Sequence, residues 1–201
     1  MTSLFLAAFG SENGLARTPP MGWNPYNHFS GDYDETIVRQ HADLIVSLGL
    51  KAKGYQYVNL DAMWGTTTRG ADGRLVPDST RFPGIADGSL AAHIHSLGLK
   101  FGIYGDMGTF DCGGSVGNLG HETIDALTFA SWGVDYLKSD NCNVPDGAPS
   151  ARERYSAMSQ ALNATGRPIL FAMCDWGLEN PAKWGGPGAC HGWPLMAIDG
   201  L

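Results

Sequence analysis

The clearest capacity for chemistry lies in one short segment, where a carboxylate is flanked by a cation and a thiol. The segment reads KSDNC, with Asp140 just after a predicted strand, Lys138 two positions before it and Cys142 two positions after it. The lysine charge favours the ionised form of the carboxyl group, and an ionised carboxylate can act as a nucleophile. A loop aspartate that accepts hydrogen bonds from nearby amides is the alternative interpretation of the same residue.

Other carboxylates follow three of the other four predicted strands. Asp61 follows the run YQYVNL, Asp106 follows LKFGIY and Asp175 follows PILFAM. In a parallel α/β barrel the catalytic groups lie at the carboxyl ends of several strands, whereas a doubly wound sheet gathers its ligands at one switch crevice. Recurring strand-end carboxylates therefore favour the barrel arrangement.

The hydrophobic pattern supplies the elements that would carry these groups. Helical spacing predicts helices at about 34–48, 90–97, 122–132 and 151–164, and β-rich runs lie at 20–24, 55–60, 99–104, 134–138 and 168–173. Alternating strands and helices indicate βα units on a parallel sheet. The count is about five such units, whereas a closed barrel has eight. The predicted fold class is therefore α/β. The fold is either the N-terminal part of an incomplete (β/α)8 TIM barrel or another open sheet.

Composition excludes several classes of function. The 201 residues carry 13 Lys and Arg against 20 Asp and Glu, a net charge of −7, so clustered cations for nucleic-acid phosphates are not expected. No apolar run reaches the ~18 residues of a membrane span. No glycine-rich phosphate loop follows the first strand, which leaves nucleotide binding without support.

Cysteine placement and the N-terminus bear on the compartment. Cys112 and Cys142 lie in Gly- and Asn-rich loops beside predicted strand ends, with no CxxC motif or clustered histidines. This placement favours a disulfide between loops, and so an oxidising compartment, over a metal pair. Residues 1–18 are interpreted as a tail or a weak signal segment, because the apolar stretch at 4–9 lacks a basic region before it. We expect a secreted protein.

Taken together, the motifs resemble family 27 of the glycoside hydrolases, the α-galactosidase (melibiase) clan. The matching segments are PPMGWN (19–24), NHF (27–29), GYQYVNLD (54–61), GLKFGIYGD (98–106), WGVDYLKSDNC (132–142) and MCDWG (173–177). The resemblance covers residues 19–184 and implies the barrel interpretation, with residues 185–201 as a tail outside the family. It implies a retaining glycosidase that acts on terminal α-linked galactose and needs no metal or organic cofactor.

The resemblance also implies roles for individual residues. Asp140 matches the catalytic nucleophile, and Cys112 with Cys142 match a family disulfide between the loops after the third and fourth strands. The residues that match positions in contact with the sugar are Trp23, Asp61, Tyr104, Lys138 and Asp175. A second carboxyl group about 5–5.5 Å from the nucleophile would serve as acid and then base.

Three departures from the family pattern affect these expectations. The family pairs two acids after the second strand, but Ala62 follows Asp61 here. A further family disulfide is expected to be absent, because its two positions fall at Gly31 and Met63. The acid/base aspartate is expected to be absent from this chain, because no matching Arg-containing motif follows Trp184. Whether Cys174 and Cys190 pair stays open.

Several functions follow from this pattern. The leading interpretation is an α-galactosidase whose activity is impaired in this chain by the missing acid/base region, and which folds poorly by itself. The alternatives are an α-N-acetylgalactosaminidase or β-L-arabinopyranosidase specificity, a galactoside-binding relic without catalysis, and an inactive structural fragment. The expected partner is a small-molecule or oligosaccharide α-galactoside, with no nucleic acid and no membrane.

Overall fold

One curled, parallel sheet organises the chain. The structure, a computed structural model, describes residues 14–185 and the backbone of residues 196–197. The strands are β1 (Met21–Trp23), β2 (Tyr55–Asn59), β3 (Lys100–Asp106), β4 (Tyr136–Asp140), β5 (Leu170–Met173) and β6 (Met196–Ala197). The pairings between these strands are all parallel, in the spatial order β5-β4-β3-β2-β1-β6. Strands β1–β5 form the half-barrel that the sequence predicts, which matches the N-terminal part of a (β/α)8 barrel.

Helices connect successive strands and cover the outer face of the sheet. They are α1 (Tyr26–Phe29), α2 (Glu35–Ser47), α3 (Ser89–Ser96), α4 (Glu122–Ser131) and α5 (Ala151–Ala164), with 3-10 turns at Lys51–Lys53 and Pro181–Lys183. The side chain of Asp34 accepts a hydrogen bond from the N–H of Ile37 and so caps α2. Ser150 and Glu153 form a capping box at the start of α5, which fixes where that helix begins. No helix in the described ranges is both long and apolar enough to cross a bilayer.

Two hydrophobic clusters lie on opposite faces of the sheet. The larger one packs the outward side chains of the strands, such as Val58, Phe101 and Ile103, against the helices. The smaller one joins Tyr57, Tyr136, Leu170 and Ala172 on the inner face, with Leu15 and Ala16 packed against it. Side chains alternate between the faces along each strand, so Tyr104 and Asp106 of β3 and Lys138 and Asp140 of β4 also point inward.

Strand register brings the inner polar residues of neighbouring strands side by side. Tyr104 pairs with Lys138, and Asp106 pairs with Asp140, because β3 and β4 stay hydrogen-bonded to their last residues. Both strands end two residues later than the hydrophobic pattern predicts, since backbone pairing continues through their polar ends. The two strand-end carboxylates therefore belong to the sheet, and their backbones are fixed by it.

Candidate active site

Asp140 is the last residue of β4, and its carboxylate is held from two sides. The Tyr104 hydroxyl donates to Oδ2 at 3.0 Å, and the backbone N–H of Asn141 donates to Oδ1 at 3.0 Å. The Asp140 carbonyl accepts from the N–H of Met107 at 2.9 Å. Only 7% of Asp140 is exposed. A carboxylate with fixed direction and limited hydration has the geometry that a nucleophile needs.

A partly buried ion pair lies on the same face of the sheet. The Lys138 ammonium donates to Oδ2 of Asp61 at 2.7 Å, and the Asn24 side-chain amide donates to the same oxygen at 2.8 Å. Burial by itself would lower the pKa of Lys138, but the charge and hydrogen bond of Asp61 outweigh it and raise that pKa above its ordinary value. The Lys138 ammonium therefore keeps its proton at neutral pH, and an ammonium beside a carboxylate binds hydroxyl groups well.

Tyr104 connects the nucleophile candidate with the ion pair. Its hydroxyl bonds Asp140, while the Lys138 ammonium lies 5.1 Å from the centre of its ring. Burial, with the charge of Asp140 added, raises the pKa of the Tyr104 hydroxyl well above its ordinary range. Tyr104 therefore remains a hydrogen-bond donor to Asp140 throughout the physiological pH range.

The loops after β3 and β4 are joined covalently and by a carboxylate. Cys112 and Cys142 form a disulfide, which confirms the pairing expected from the sequence. Oxygen Oδ1 of Asp106 accepts from the N–H of Gly108 at 2.7 Å, and Oδ2 accepts from the N–H of Cys142 at 2.9 Å. Burial raises the pKa of the Asp106 carboxyl to about 7, because desolvation outweighs the effect of these hydrogen bonds.

The same loops carry a group of potential metal ligands. Ligand atoms of Asp106, Cys112, Asp140 and Cys142 lie within 4.8 Å of one another. The two sulfur atoms are bonded to each other, so neither is available as the thiolate that a metal ion would bind. Only two carboxylates remain as ligands, and both already accept hydrogen bonds from the protein.

The other two predicted sugar-contact residues, Trp23 and Asp175, contact other parts of the protein. Trp23 is 1% exposed, and its ring stacks on His41 of α2 with 4.4 Å between centroids. Asp175 follows β5, and its Oδ1 accepts from the N–H of Gly177 at 3.1 Å, while its buried Oδ2 has no partner among the described residues. Burial raises the pKa of Asp175 above its ordinary value. Sugar contacts for both residues remain predictions.

The structure shows the surroundings of two departures from the family pattern, namely Ala62 and the pair Gly31 and Met63. Ala62 is buried, and an ideal Cβ built on Gly113 would lie 3.1 Å from the Cβ of Ala62. A Cβ built on Gly31 would lie 3.7 Å from the Cβ of Met63, which is within the 3.5–4.5 Å of a disulfide. The separation of the two positions is thus compatible with a disulfide bond, and the Met63 side chain occupies the space next to Gly31. Cys190 lies outside the described residues.

Three residues near Asp61 were missed by the sequence reasoning. Asn24 belongs to the motif PPMGWN, and its place just after β1 is the signal that could identify it, as it does for the strand-end carboxylates. Tyr33 and Arg81 lie in connections and bond Asp61 and its neighbours through backbone atoms. No local sequence signal identifies contacts of this kind.

The inner edge of the half-barrel therefore combines a nucleophile candidate with a charged hydroxyl-binding pair. Lys138 belongs to the same strand as Asp140, two residues away, and Tyr104 contacts both. Such a set can hold a polyhydroxylated ligand and present an ionised oxygen to it.

Comparison with known proteins identifies relatives for this arrangement. The family model described as "Alpha galactosidase A", of the melibiase group, matches residues 18–184. The α-galactosidase of Cyamopsis tetragonoloba is 53% identical over 176 residues, covering 87% of this chain and 42% of the relative. That of Coffea arabica is 54% identical over 174 residues, covering 86% of this chain and 45% of the relative.

Solved structures agree with the sequence relatives. α-Galactosidase I from Mortierella vinacea superposes with a TM-score of 0.82 at 45% identity, covering 87% of this chain and 45% of that one. The Saccharomyces cerevisiae α-galactosidase, solved with raffinose, has a TM-score of 0.83 at 42% identity. The match covers 89% of this chain and 39% of that one. The chain spans less than half of the length of each of these relatives. Because the family match extends over most of the chain, we assign this protein to the melibiase family of α-galactosidases.

Proposed function

We propose that this chain carries the nucleophile half of a retaining α-galactosidase, with Asp140 as the attacking group. The single observation that supports this most is the contact between Asp140 and Tyr104, beside the Lys138–Asp61 ion pair. In the reaction, Asp140 would attack the anomeric carbon, the bond to the leaving oxygen would break, and a covalent glycosyl-enzyme would form. Water would then release the sugar with retained configuration.

The ion pair and its neighbours would hold the sugar for this attack. Asp61 accepts hydrogen bonds and Lys138 donates them, so hydroxyl groups of galactose can bond to either side of the pair. Orienting the sugar in this way places its anomeric carbon in line with the carboxylate and removes part of the entropic barrier. The raffinose-bound relative supports a galactoside as the substrate class.

The reaction also needs a second carboxyl group as acid and base. Asp106 lies in register beside Asp140, but it is 0% exposed and accepts hydrogen bonds from two backbone amides. It therefore cannot reach a glycosidic oxygen. We propose that the acid/base carboxyl comes from outside residues 14–185.

Activated substrates test the nucleophile without requiring that second group. Dinitrophenolate leaves without protonation, so a dinitrophenyl α-galactoside should transfer its galactosyl group to Asp140, and mass spectrometry of peptides should detect the adduct there. Added azide should then release galactosyl azide. The control is Asp140→Asn, which should acquire no adduct. An adduct on another residue would refute the assignment of Asp140.

Ala62 favours a second candidate specificity. With alanine in place of an acid beside Asp61, one charged hydrogen bond to a substrate hydroxyl is lost, a change of about 1.5–3 kcal/mol. A structure of a β-L-arabinopyranosidase superposes with a TM-score of 0.65 at 25% identity. A panel of aryl α-galactoside, α-N-acetylgalactosaminide and β-L-arabinopyranoside decides between these substrates. Ala62→Asp should increase transfer from the galactoside selectively if galactose is the natural sugar.

Binding without hydrolysis is the remaining functional alternative. It is supported by the intact ion pair, which could bind a galactoside without an acid/base group. Calorimetric titration with methyl α-galactoside would reveal binding, and absence of the covalent adduct in the same preparation would favour a lectin-like role. No binding of any hexose would favour an inactive structural piece.

We also propose that the protein is secreted. The Cys112–Cys142 disulfide supports this, because such bonds persist in oxidising compartments and are rare in the cytosol. Fractionation of the source cells with an antibody to residues 14–185 tests it, and recovery only from the cytosol would contradict it.

A further inference from the structure

The hydroxyl group of Tyr33 bonds the backbone of Asp61 rather than its side chain. It lies 2.7 Å from the carbonyl oxygen of Asp61 and 2.9 Å from that of Ala62, and it accepts from the N–H of Asp61 at 3.0 Å. Tyr33 is buried, and burial raises the pKa of its hydroxyl well above the ordinary range. The hydroxyl therefore keeps its proton and satisfies polar backbone groups at the point where the chain leaves β2.

The guanidinium group of Arg81 binds the two segments on either side of this contact. It donates to the carbonyl oxygen of Met63 at 3.0 Å and also to the carbonyl oxygens of Gly31 and Tyr33. Its central carbon lies 5.8 Å from the ring centre of Tyr33. The planar fork of arginine suits several carbonyl groups at once, and lysine cannot reproduce that geometry.

We propose that Arg81 and Tyr33 are positioning residues, which together set the direction of the Asp61 carboxylate towards Lys138. Arg81 fixes the connection that carries Tyr33, and the Tyr33 hydroxyl then fixes the peptide groups of Asp61 and Ala62. The effect of this positioning on sugar binding rests on the proposed function of Asp61. The positioning itself does not depend on that function.

The contacts of Arg81 coincide with a place where a crosslink is geometrically possible. Gly31 and Met63, whose carbonyl groups it binds, are the two positions with disulfide-compatible Cβ separation. Arg81 thus makes by hydrogen bonds the same connection between the loops after β1 and β2 that a covalent bond could make. A crosslink at these positions should therefore substitute for it.

Hydrogen exchange of the Asp61 amide tests the positioning directly, on the full chain and without any ligand. Tyr33→Phe removes only the hydroxyl that this amide bonds, and Arg81→Lys keeps the charge while losing the fork. Both should accelerate exchange of the Asp61 amide about tenfold or more, relative to amides in β3. An unchanged Asp61 amide in Arg81→Lys would overturn the proposal.

Two controls separate positioning from general loss of stability. Ile94→Val removes one buried methyl group in α3 and so lowers overall stability modestly, and it should leave the exchange of the Asp61 amide relative to β3 unchanged. Adding the crosslink Gly31→Cys/Met63→Cys to Arg81→Lys should restore slow exchange. Exchange that stays fast in the oxidised crosslinked protein would overturn the role given to Arg81.

A measurement of sugar binding tests whether the positioning of Asp61 affects function. Calorimetry with methyl α-galactoside should show about tenfold weaker binding for Tyr33→Phe and Arg81→Lys, and unchanged binding for Ile94→Val. If the unmutated chain binds no sugar, the proposed function fails while the exchange measurement still decides the positioning. Equal loss of binding in all three variants would show a stability effect and contradict the proposal.

Discussion

The ammonium nitrogen of Lys138 lies 2.7 Å from Oδ2 of Asp61, across 77 positions of sequence and with β3 between their two strands. Replacing Lys138 by methionine keeps the length of the side chain and leaves a buried carboxylate without its cation. We expect a loss of about 2 kcal/mol in the free energy of unfolding. Urea unfolding followed by circular dichroism measures it.

The matched control is an exposed ion pair. Arg74 lies 3.5 Å from Asp72, and both side chains are largely exposed to solvent. Arg74→Met should therefore change the stability by less than about 0.5 kcal/mol. Equal losses in the two variants would show that burial of the Lys138–Asp61 pair has no special importance.

The Cys112–Cys142 disulfide closes a loop with a sequence separation of 30. By the chain-entropy estimate, its removal should lower stability by roughly 3.5 kcal/mol. Thermal unfolding with and without a reducing agent gives the difference in the unmutated protein. In Cys112→Ser/Cys142→Ser the reductant should have no effect, and any remaining effect would have to come from another bond.

Positions 31 and 63 should accept a new disulfide. Gly31 has an ordinary backbone conformation outside the left-handed region, so cysteine is tolerated there. Gly31→Cys/Met63→Cys should oxidise spontaneously and raise stability by about 2–4 kcal/mol. Free-thiol titration checks the bond, and the singly substituted Met63→Cys is the control. Two free thiols more than the unmutated protein shows after exposure to air would contradict the geometry.

Asp106 should make stability depend on pH. Its pKa is about 7 in the folded state against an ordinary 3.8, so between these values the folded state holds more protons than the unfolded state. Its contribution is therefore complete below about pH 4 and is lost as the pH rises to about 7, a change on the order of 4 kcal/mol. Denaturant unfolding at a series of pH values measures the slope.

Asp106→Asn removes the titration while keeping the size of the side chain. The variant loses one acceptor for a backbone N–H and should be less stable in absolute terms. The informative result is the slope of stability between pH 4 and 7, which should be flatter than in the unmutated protein. Parallel slopes would mean that other buried acids with raised pKa values, such as Asp111 and Asp175, account for the effect.

Local patterns were sufficient for β1–β5, for the longer helices and for part of the site, but not for the short helix α1 or for β6. The spacing of apolar residues placed α5 at 151–164, where the structure has Ala151–Ala164, and the strand-end positions selected Asp61, Asp106 and Asp140. These predictions succeed because helix periodicity, capping and parallel strand ends are properties of short segments. The pairing of Cys112 with Cys142 also followed from their position in two neighbouring loops.

Tertiary structure decided which side chains meet. The sequence places Asn24 just after β1, but its contact with Asp61 depends on the direction that its side chain takes in the folded sheet. The sequence could not reveal Tyr33 and Arg81, since they act on backbone groups that carry no sequence signature. The sequence by itself thus determined the βα units and the strand-end carboxylates, which depend on contacts between near neighbours. Distances such as that between Lys138 and Asp61 were set only by the register and curl of the assembled sheet, because they join segments far apart in the chain.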